Sequence, residues 1–175
     1  MRVLAIVGHH NSGKTSLIER LIPALRARGL SVSTLKHTHH KNPSVDSIGK
    51  DSQRHALAGA DEVLLASDES WTLLRHSRTP ASPVQLLSEL RAVDIVLIEG
   101  YKALAHWPRI EVYRGLTAEA PLAAADGGIA AVACPADLDI KLPGLRRVDL
   151  DDAAAVATLA LELTNEATSR HLKTP

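Results

Sequence analysis

The chain has 175 residues, of which 45% are hydrophobic but only 2% aromatic, and its 20 Lys plus Arg are matched by 20 Asp plus Glu. That length supports one substantial core, and the even charge balance excludes a molecule-wide attraction for nucleic acid or anionic membrane. Any attraction for an anion has to be local, and a core without phenylalanine has to be built from Leu, Ile, Val and Ala.

The first element, "RVLAIVG" (2–8), is an unbroken apolar run closed by glycine, the pattern of a buried parallel strand. From Thr15 onward, Leu17, Ile18, Leu21, Ile22 and Leu25 recur on one face, which predicts an amphipathic helix stopped at Gly29 and kinked at Pro23. "SVSTLKH" (31–37) reads as a second strand, and the polar stretch from Thr38 to Gly49 as a loop. "DSQRHALAGA" (51–60) follows as a short helix capped by Asp51.

"EVLLAS" and "SWTLLRH" are two strands joined by the turn Asp68-Glu69, and "PVQLLSELR" is a helix. "VDIVLIEGY" (93–101) is the second continuous apolar run and the best central strand. "RIEVYR" and "GIAAVAC" are later strands, and "DDAAAVATLALELTNEA" is a closing helix with Val156, Leu159, Ala160 and Leu163 on one face. Strands that alternate with helices predict a three-layer α/β domain with a largely parallel sheet. The expectation is a single domain over residues 1–168 and a frayed tail over 169–175.

The single cysteine, Cys134, cannot form an internal disulfide and ends an apolar run, so a buried thiol in a reducing compartment is expected. The N-terminal apolar run of six residues is too short for a signal peptide or a membrane span, which points to the cytoplasm.

"GHHNSGKT" (8–15) fits the spacing G-x-x-x-x-G-K-[ST]. Glycines let consecutive backbone N–H groups turn toward phosphate oxygens, and the helix that follows adds its positive end. Gly8, His9, His10, Asn11, Ser12, Gly13, Lys14, Thr15 and Ser16 are therefore the candidate phosphate-binding residues. Lys14 would reach the outer phosphates and the Thr15 hydroxyl would ligate Mg²⁺. Such a loop also needs an acid on a neighbouring strand. Glu99 ends the "VDIVLIEGY" strand on the side where parallel sheets bind ligands, whereas Asp94 begins it and is expected at the far surface. Lys14 and Glu99 are the candidate catalytic pair.

Five of the nine histidines fall in the first forty residues, three of them in "KHTHH" (36–40). No cysteine accompanies them and no H-x-x-x-H spacing occurs, which argues against zinc. Lys36, His37, His39, His40, Lys41 and Lys50 instead make a locally basic segment suited to an anion, with an ordinary solvated polar loop as the alternative.

Four blocks in order, "GHHNSGKTSLIERLIPALRARG", "STLKHTHH", "DSIGKDSQRHALAGA" and "VDIVLIEGYK", resemble the MobB family, the GTP-binding proteins of molybdopterin guanine dinucleotide biosynthesis. The resemblance covers roughly the first 100 residues and implies a P-loop GTPase-like fold, a homodimer and weak GTP hydrolysis. It also implies an adapter role toward MobA, the guanylyltransferase that joins GMP to molybdopterin, with molybdopterin itself as a further candidate ligand. Carried onto this chain, Lys36 and His37 would border the nucleotide, and His39, His40, Asp46, Gly49, Lys50, Asp51 and Ser52 would form a signature loop. Asp46 or Asp51 would supply a switch-type carboxylate to the metal, and Lys102 a further phosphate contact.

One feature departs from many GTPases: no N-K-x-D tetrapeptide is present. Asp137, after the "AAVAC" strand, is the candidate guanine reader, with Asp139 behind it and a plain turn-forming role as the alternative. Arg54 is a candidate arginine finger across a dimer, against an ordinary surface arginine. Two other functions fit the loop: a small-molecule kinase, and a nickel-type metallochaperone GTPase suggested by the histidines.

Overall fold

A computed structural model describes residues 1–38, 50–75, 79–101, 106–116 and 118–171. Two compact units emerge, one of residues 1–37 with 90–175 and one of residues 38–89.

The larger unit is built on six parallel strands in the order β2-β5-β1-β6-β7-β8. These are β1 (Arg2–Val7), β2 (Val32–Lys36), β5 (Ile95–Glu99), β6 (Arg109–Val112), β7 (Ala131–Cys134) and β8 (Arg146–Asp149). The α/β class with a parallel sheet is therefore as expected. The two apolar runs read as buried strands are neighbours at its centre, with Ala5 beside Ile98 and Ile6 beside Glu99. β1 is also where the order reverses: its first crossover runs to β2 on one side, while β6 lies on the other. Ligand crevices in open α/β sheets form at such a switch point, outside the carboxyl ends of the strands.

One face of this sheet packs on helices α1 (Lys14–Arg26) and α4 (Ala153–His171). Leu4, Ile6, Leu97, Ile110 and Val112 meet Leu17, Leu21 and Leu25 of α1 and Val156, Ala160 and Leu163 of α4 in one cluster. The apolar stripe read for each helix is thus its buried face. α1 continues through Pro23 to Arg26. It then stops at Gly29, whose φ of 78° is accompanied by Leu30 N–H bonding the Leu25 carbonyl at 3.3 Å and Gly29 N–H bonding the Arg26 carbonyl at 2.9 Å. Cys134 is buried, as expected.

β8 was not anticipated. Its sequence, "RRVD", has no apolar run because it is an edge strand with half its residues exposed. Arg146 on β8 pairs with Glu162 and Glu166 of α4. α4 itself extends through His171.

The smaller unit holds α2 (Lys50–Leu57), the antiparallel hairpin of β3 (Glu62–Ala66) and β4 (Trp71–Arg75), and α3 (Pro83–Ser88). The hairpin turns at Asp68-Glu69, where Ser67 N–H bonds the Ser70 carbonyl at 2.7 Å. Asp51 is not the cap of α2: it lies within the first turn and pairs with Arg54 at 3.5 Å, because the helix already includes Lys50. α3 opens with a capping box, Ser82 and Gln85 bonding reciprocally ahead of Pro83.

Asp94 has a structural role away from the crevice. Its carboxylate accepts bonds from the Ser31 N–H at 2.8 Å and the Ser31 hydroxyl at 2.6 Å, tying the chain before β2 to the start of β5. These bonds hold its carboxyl below the usual carboxylate range. A depressed folded-state pKa contributes stability that is present above the ordinary aspartate value, about 4, and lost as pH falls through the depressed one. Asp94→Asn is therefore expected to lower the urea midpoint at pH 7, with the gap to the unmodified protein closing below about pH 4. An equal gap at pH 7 and pH 3 would show that charge on Asp94 contributes nothing.

Candidate nucleotide-binding site

The loop from Gly8 to Gly13 leaves the carboxyl end of β1 and delivers the chain into α1. Its turns use left-handed backbone at Asn11 (φ 57°) and Gly13 (φ 95°), with Gly8 at φ 147°. Two of these glycines are demanded by neighbours as well as by conformation. A Cβ on Gly8 would lie 2.5 Å from the Val112 carbonyl oxygen, and one on Gly13 would lie 2.9 Å from Arg114 Nε. Gly13 is also the N-cap of α1, has no side chain to cap it, and is followed by a first turn without acidic residues. The first-turn N–H groups thus retain their capacity for an anion.

Lys14 curls back over this loop, donating to the His9 carbonyl at 2.6 Å and the Gly8 carbonyl at 3.2 Å. Thr15 is the next residue, and its hydroxyl donates to Glu99 Oε1 at 2.7 Å. Lys36, at the end of β2, lies 3.5 Å from Glu99 Oε2 and 3.4 Å from the Thr15 hydroxyl. The three side chains come from α1, β5 and β2, brought together because β5 lies between β2 and β1 in register. A hydroxyl and a carboxylate side by side are hard oxygen donors of the kind Mg²⁺ takes. Ser12 Oγ and Arg114 Nε are buried beside the loop with no hydrogen-bond partner among the described residues. Orphaned polar atoms around a glycine cradle fit a phosphate ligand.

His37 follows Lys36 and is set against the turn after β5. Its N–H bonds the Glu99 carbonyl at 2.9 Å, and its ring lies 4.4 Å from that of Tyr101 at an angle of 42°. Gly100 (φ 100°) permits this approach, since a Cβ there would lie 3.2 Å from His37 Cβ. Burial pushes the Tyr101 phenol up. His9 is fastened on the other side: Nδ1 lies 3.1 Å from Glu119 and Nε2 lies 2.9 Å from the Ala120 carbonyl. Tyr113 donates to the Glu119 carbonyl at 3.0 Å, so the segment after β6 is clasped to the phosphate loop.

His10, Asn11 and Ser16 are exposed on the loop and the first turn of α1. Asp137 is exposed in the Pro135–Leu138 turn directly after β7. Asp139 is exposed just beyond. Ser52 lies in α2 of the smaller unit with Asp51 and Arg54, and both partners of that ion pair are solvent-exposed. His39, His40, Asp46, Gly49 and Lys102 lie outside the described residues, and Lys50 is described only as the first residue of α2. Among the described residues, no group of three or more His, Cys, Asp or Glu side chains converges as a metal site would require.

Sequence reasoning missed Arg114, Glu119 and Glu111. Arg114 had a usable signal, because the rule that selected Glu99 at a strand's carboxyl end applies equally to the last residue of "RIEVYR". Glu111 had none; it is fully buried within β6, and its two oxygens accept from the Leu122 and Ala123 N–H groups at 2.7 and 2.8 Å. Beside it on the same strand, buried Arg109 makes a two-pronged pair with Asp126 at 2.6 and 2.9 Å, which holds the Asp126 carboxyl below its usual range.

A parallel α/β sheet with a G-x-x-x-x-G-K-T loop at its switch point, a threonine hydroxyl and a strand-end carboxylate defines a protein of the P-loop class. Residues 3–135 match the family model MobB, molybdopterin guanine dinucleotide synthesis protein B, and the chain belongs to that family. It is 39% identical over 150 residues to the molybdopterin-guanine dinucleotide biosynthesis adapter protein of Haemophilus influenzae, covering 83% of each chain. It is 33% identical over 169 residues to the protein of the same description from Escherichia coli, covering 91% of each. A crystal structure of molybdopterin-guanine biosynthesis protein B (mobB) superposes with a TM-score of 0.69 at 27% identity, over 92% of this chain and 99% of that one.

Proposed function

We propose that this chain is a Mg²⁺-GTP-binding adapter of molybdopterin guanine dinucleotide biosynthesis, assisting a MobA-type guanylyltransferase and hydrolysing GTP slowly. The observation that carries the nucleotide part is the Thr15–Glu99–Lys36 cluster beside the glycine loop. The adapter part is supported by the descriptions of the relatives. Gly8 to Ser16 hold the phosphates through backbone N–H groups, and Lys14 exchanges its two loop carbonyls for phosphate oxygens. Thr15 and Glu99 are the residues that would hold Mg²⁺, whose charge neutralises the phosphates. Lys36 and His37 border them, and Asp137 is the candidate reader of the guanine edge.

Slow hydrolysis follows from the same inventory. Fast phosphoryl transfer needs a positioned water and charge clamps, and both described carboxylates beside the loop and the first turn of α1 are already engaged, Glu99 by Thr15 and Lys36 and Glu119 by His9. A homodimer in the cytoplasm completes the proposal. Dimer formation is supported by large apolar side chains left in solvent on the smaller unit, Leu57, Leu64, Trp71 and Val84. No described helix is long and apolar enough to cross a membrane.

The test is reconstitution of guanine dinucleotide synthesis from a purified cognate guanylyltransferase, molybdopterin and limiting Mg²⁺-GTP, with and without this protein. Product formation is expected to rise with the unmodified protein and to return to the basal level with Lys14→Ala. Equal stimulation by Lys14→Ala would remove GTP from the role, and no stimulation at all would remove the adapter function.

A further inference from the structure

Arginines of the larger unit are mostly accounted for by oxygen partners: Arg20 pairs with Asp151, Arg109 with Asp126, and Arg146 with Glu162 and Glu166. Arg114 is different. It stands two residues beyond the end of β6, the strand next to β1, and so at the carboxyl edge of the sheet. Its Nε is buried with no hydrogen-bond partner among the described residues. The guanidinium lies along Gly13, so that a Cβ there would be 2.9 Å from Nε, 3.3 Å from Nη2 and 3.4 Å from Cζ. Gly13 is the residue whose carbonyl starts the α1 hydrogen-bond ladder, accepting from Leu17 at 2.9 Å.

A buried donor on a permanently charged group is costly to leave unpaired. The backbone that carries Arg114 is anchored on both sides, by the Val112 carbonyl against Gly8 and by the Tyr113–Glu119–His9 clasp. Arg114 is thus a cation with a spare donor beside Gly13 of the glycine loop. Resting on the nucleotide reading above, we propose that Arg114 is a phosphate-contacting residue of this site, donating from its guanidinium to phosphate oxygens of the nucleotide held by the loop. A planar fork matches phosphate oxygens in a way a lysine ammonium does not.

The experiment compares the full-length protein with Arg114→Ala, Arg114→Lys and Lys14→Ala, measuring Mg²⁺-GTP affinity by equilibrium titration and the thermal midpoint with and without nucleotide. Arg114→Ala is expected to weaken Mg²⁺-GTP binding about ten- to a hundredfold, and Arg114→Lys to restore part of that loss. The midpoint without nucleotide should stay near that of the unmodified protein, because the deleted Nε has no hydrogen bond to lose. A guanidinium that merely packs over Gly13 gives the opposite pattern: a lower nucleotide-free midpoint in both variants with affinity kept within twofold, and the proposal is then wrong. If Arg114→Ala does not fold, Arg114→Lys carries the same comparison. If Lys14→Ala loses binding and neither Arg114 variant does, the site stands and the Arg114 role falls. If the unmodified protein itself binds no Mg²⁺-GTP, the nucleotide reading is what fails, and the Arg114 role goes with it.

Discussion

Replacing Gly8 with alanine is expected to destabilise the protein by about 2–5 kcal/mol and to abolish nucleotide binding. Two costs add. At φ 147° the backbone is one that side chains rarely adopt, and the new Cβ would sit 2.5 Å from the Val112 carbonyl oxygen. That obstacle is backbone, and it cannot step aside cheaply: Val112 is fully buried, its strand pairs with both β1 and β7, and Tyr113 N–H bonds the Ala133 carbonyl at 3.0 Å. Gly13→Ala is the informative comparison. Its φ of 95° is also strained, yet its Cβ meets the end of the Arg114 side chain, which can swing away. Urea unfolding should therefore rank Gly8→Ala well below Gly13→Ala in stability. A reversed order would mean that strain at the left-handed position, rather than the approach of β6, is what demands glycine in this loop.

The second large effect is expected at Glu111, which has no place in the phosphate site. Its carboxylate is fully buried, and a buried charge is tolerated only when its oxygens are satisfied. Here the Leu122 and Ala123 N–H groups do so, at the start of a short 3₁₀ turn (Leu122–Ala124) whose N-cap, Pro121, makes no side-chain hydrogen bond. Glu111→Ala removes the acceptor of two backbone donors at once and leaves a void. About 2–4 kcal/mol of stability should be lost, lowering the thermal midpoint by on the order of 10 °C. Glu111→Gln keeps one acceptor oxygen and should fall between the two. A loss below about 0.5 kcal/mol for Glu111→Ala would show that the two N–H groups find other acceptors.

These two residues mark where reading the chain alone succeeds and where it stops. Gly8 was identified from spacing, because a phosphate loop between a buried strand and an amphipathic helix is a local pattern. The separation of Glu99 from Asp94 was also available. Five residues apart on one strand, they must stand at opposite edges of a parallel sheet, and Glu99 is found against Thr15 while Asp94 holds Ser31. Glu111, by contrast, looks like any polar residue alternating in "RIEVYR", and only the return of residues 122–123 over its face explains why a carboxylate is buried there. β8 escaped notice for a related reason: an edge strand needs no apolar run, so "RRVD" carries no periodic signal. Asp51 was placed wrongly as the cap because the helix already includes Lys50, which makes Asp51 its second residue, two positions past a cap.

By itself, then, the amino-acid sequence determined most of the elements and the position of the loop: where the strands other than β8 and the main helices lie, that a glycine cradle with Lys14 and Thr15 follows β1, and that Glu99 shares its edge. Those features arise from neighbours a few residues apart, through backbone conformation and the 2.0 and 3.6 periodicities of strand and helix. Only the tertiary structure decided which strands flank β1. That choice brings Lys36 to Glu99 from one side and Val112 with Arg114 to the two loop glycines from the other. Lateral strand order is set by which buried faces pack together across more than sixty residues of chain, as between Lys36 and Glu99, and no local period encodes it.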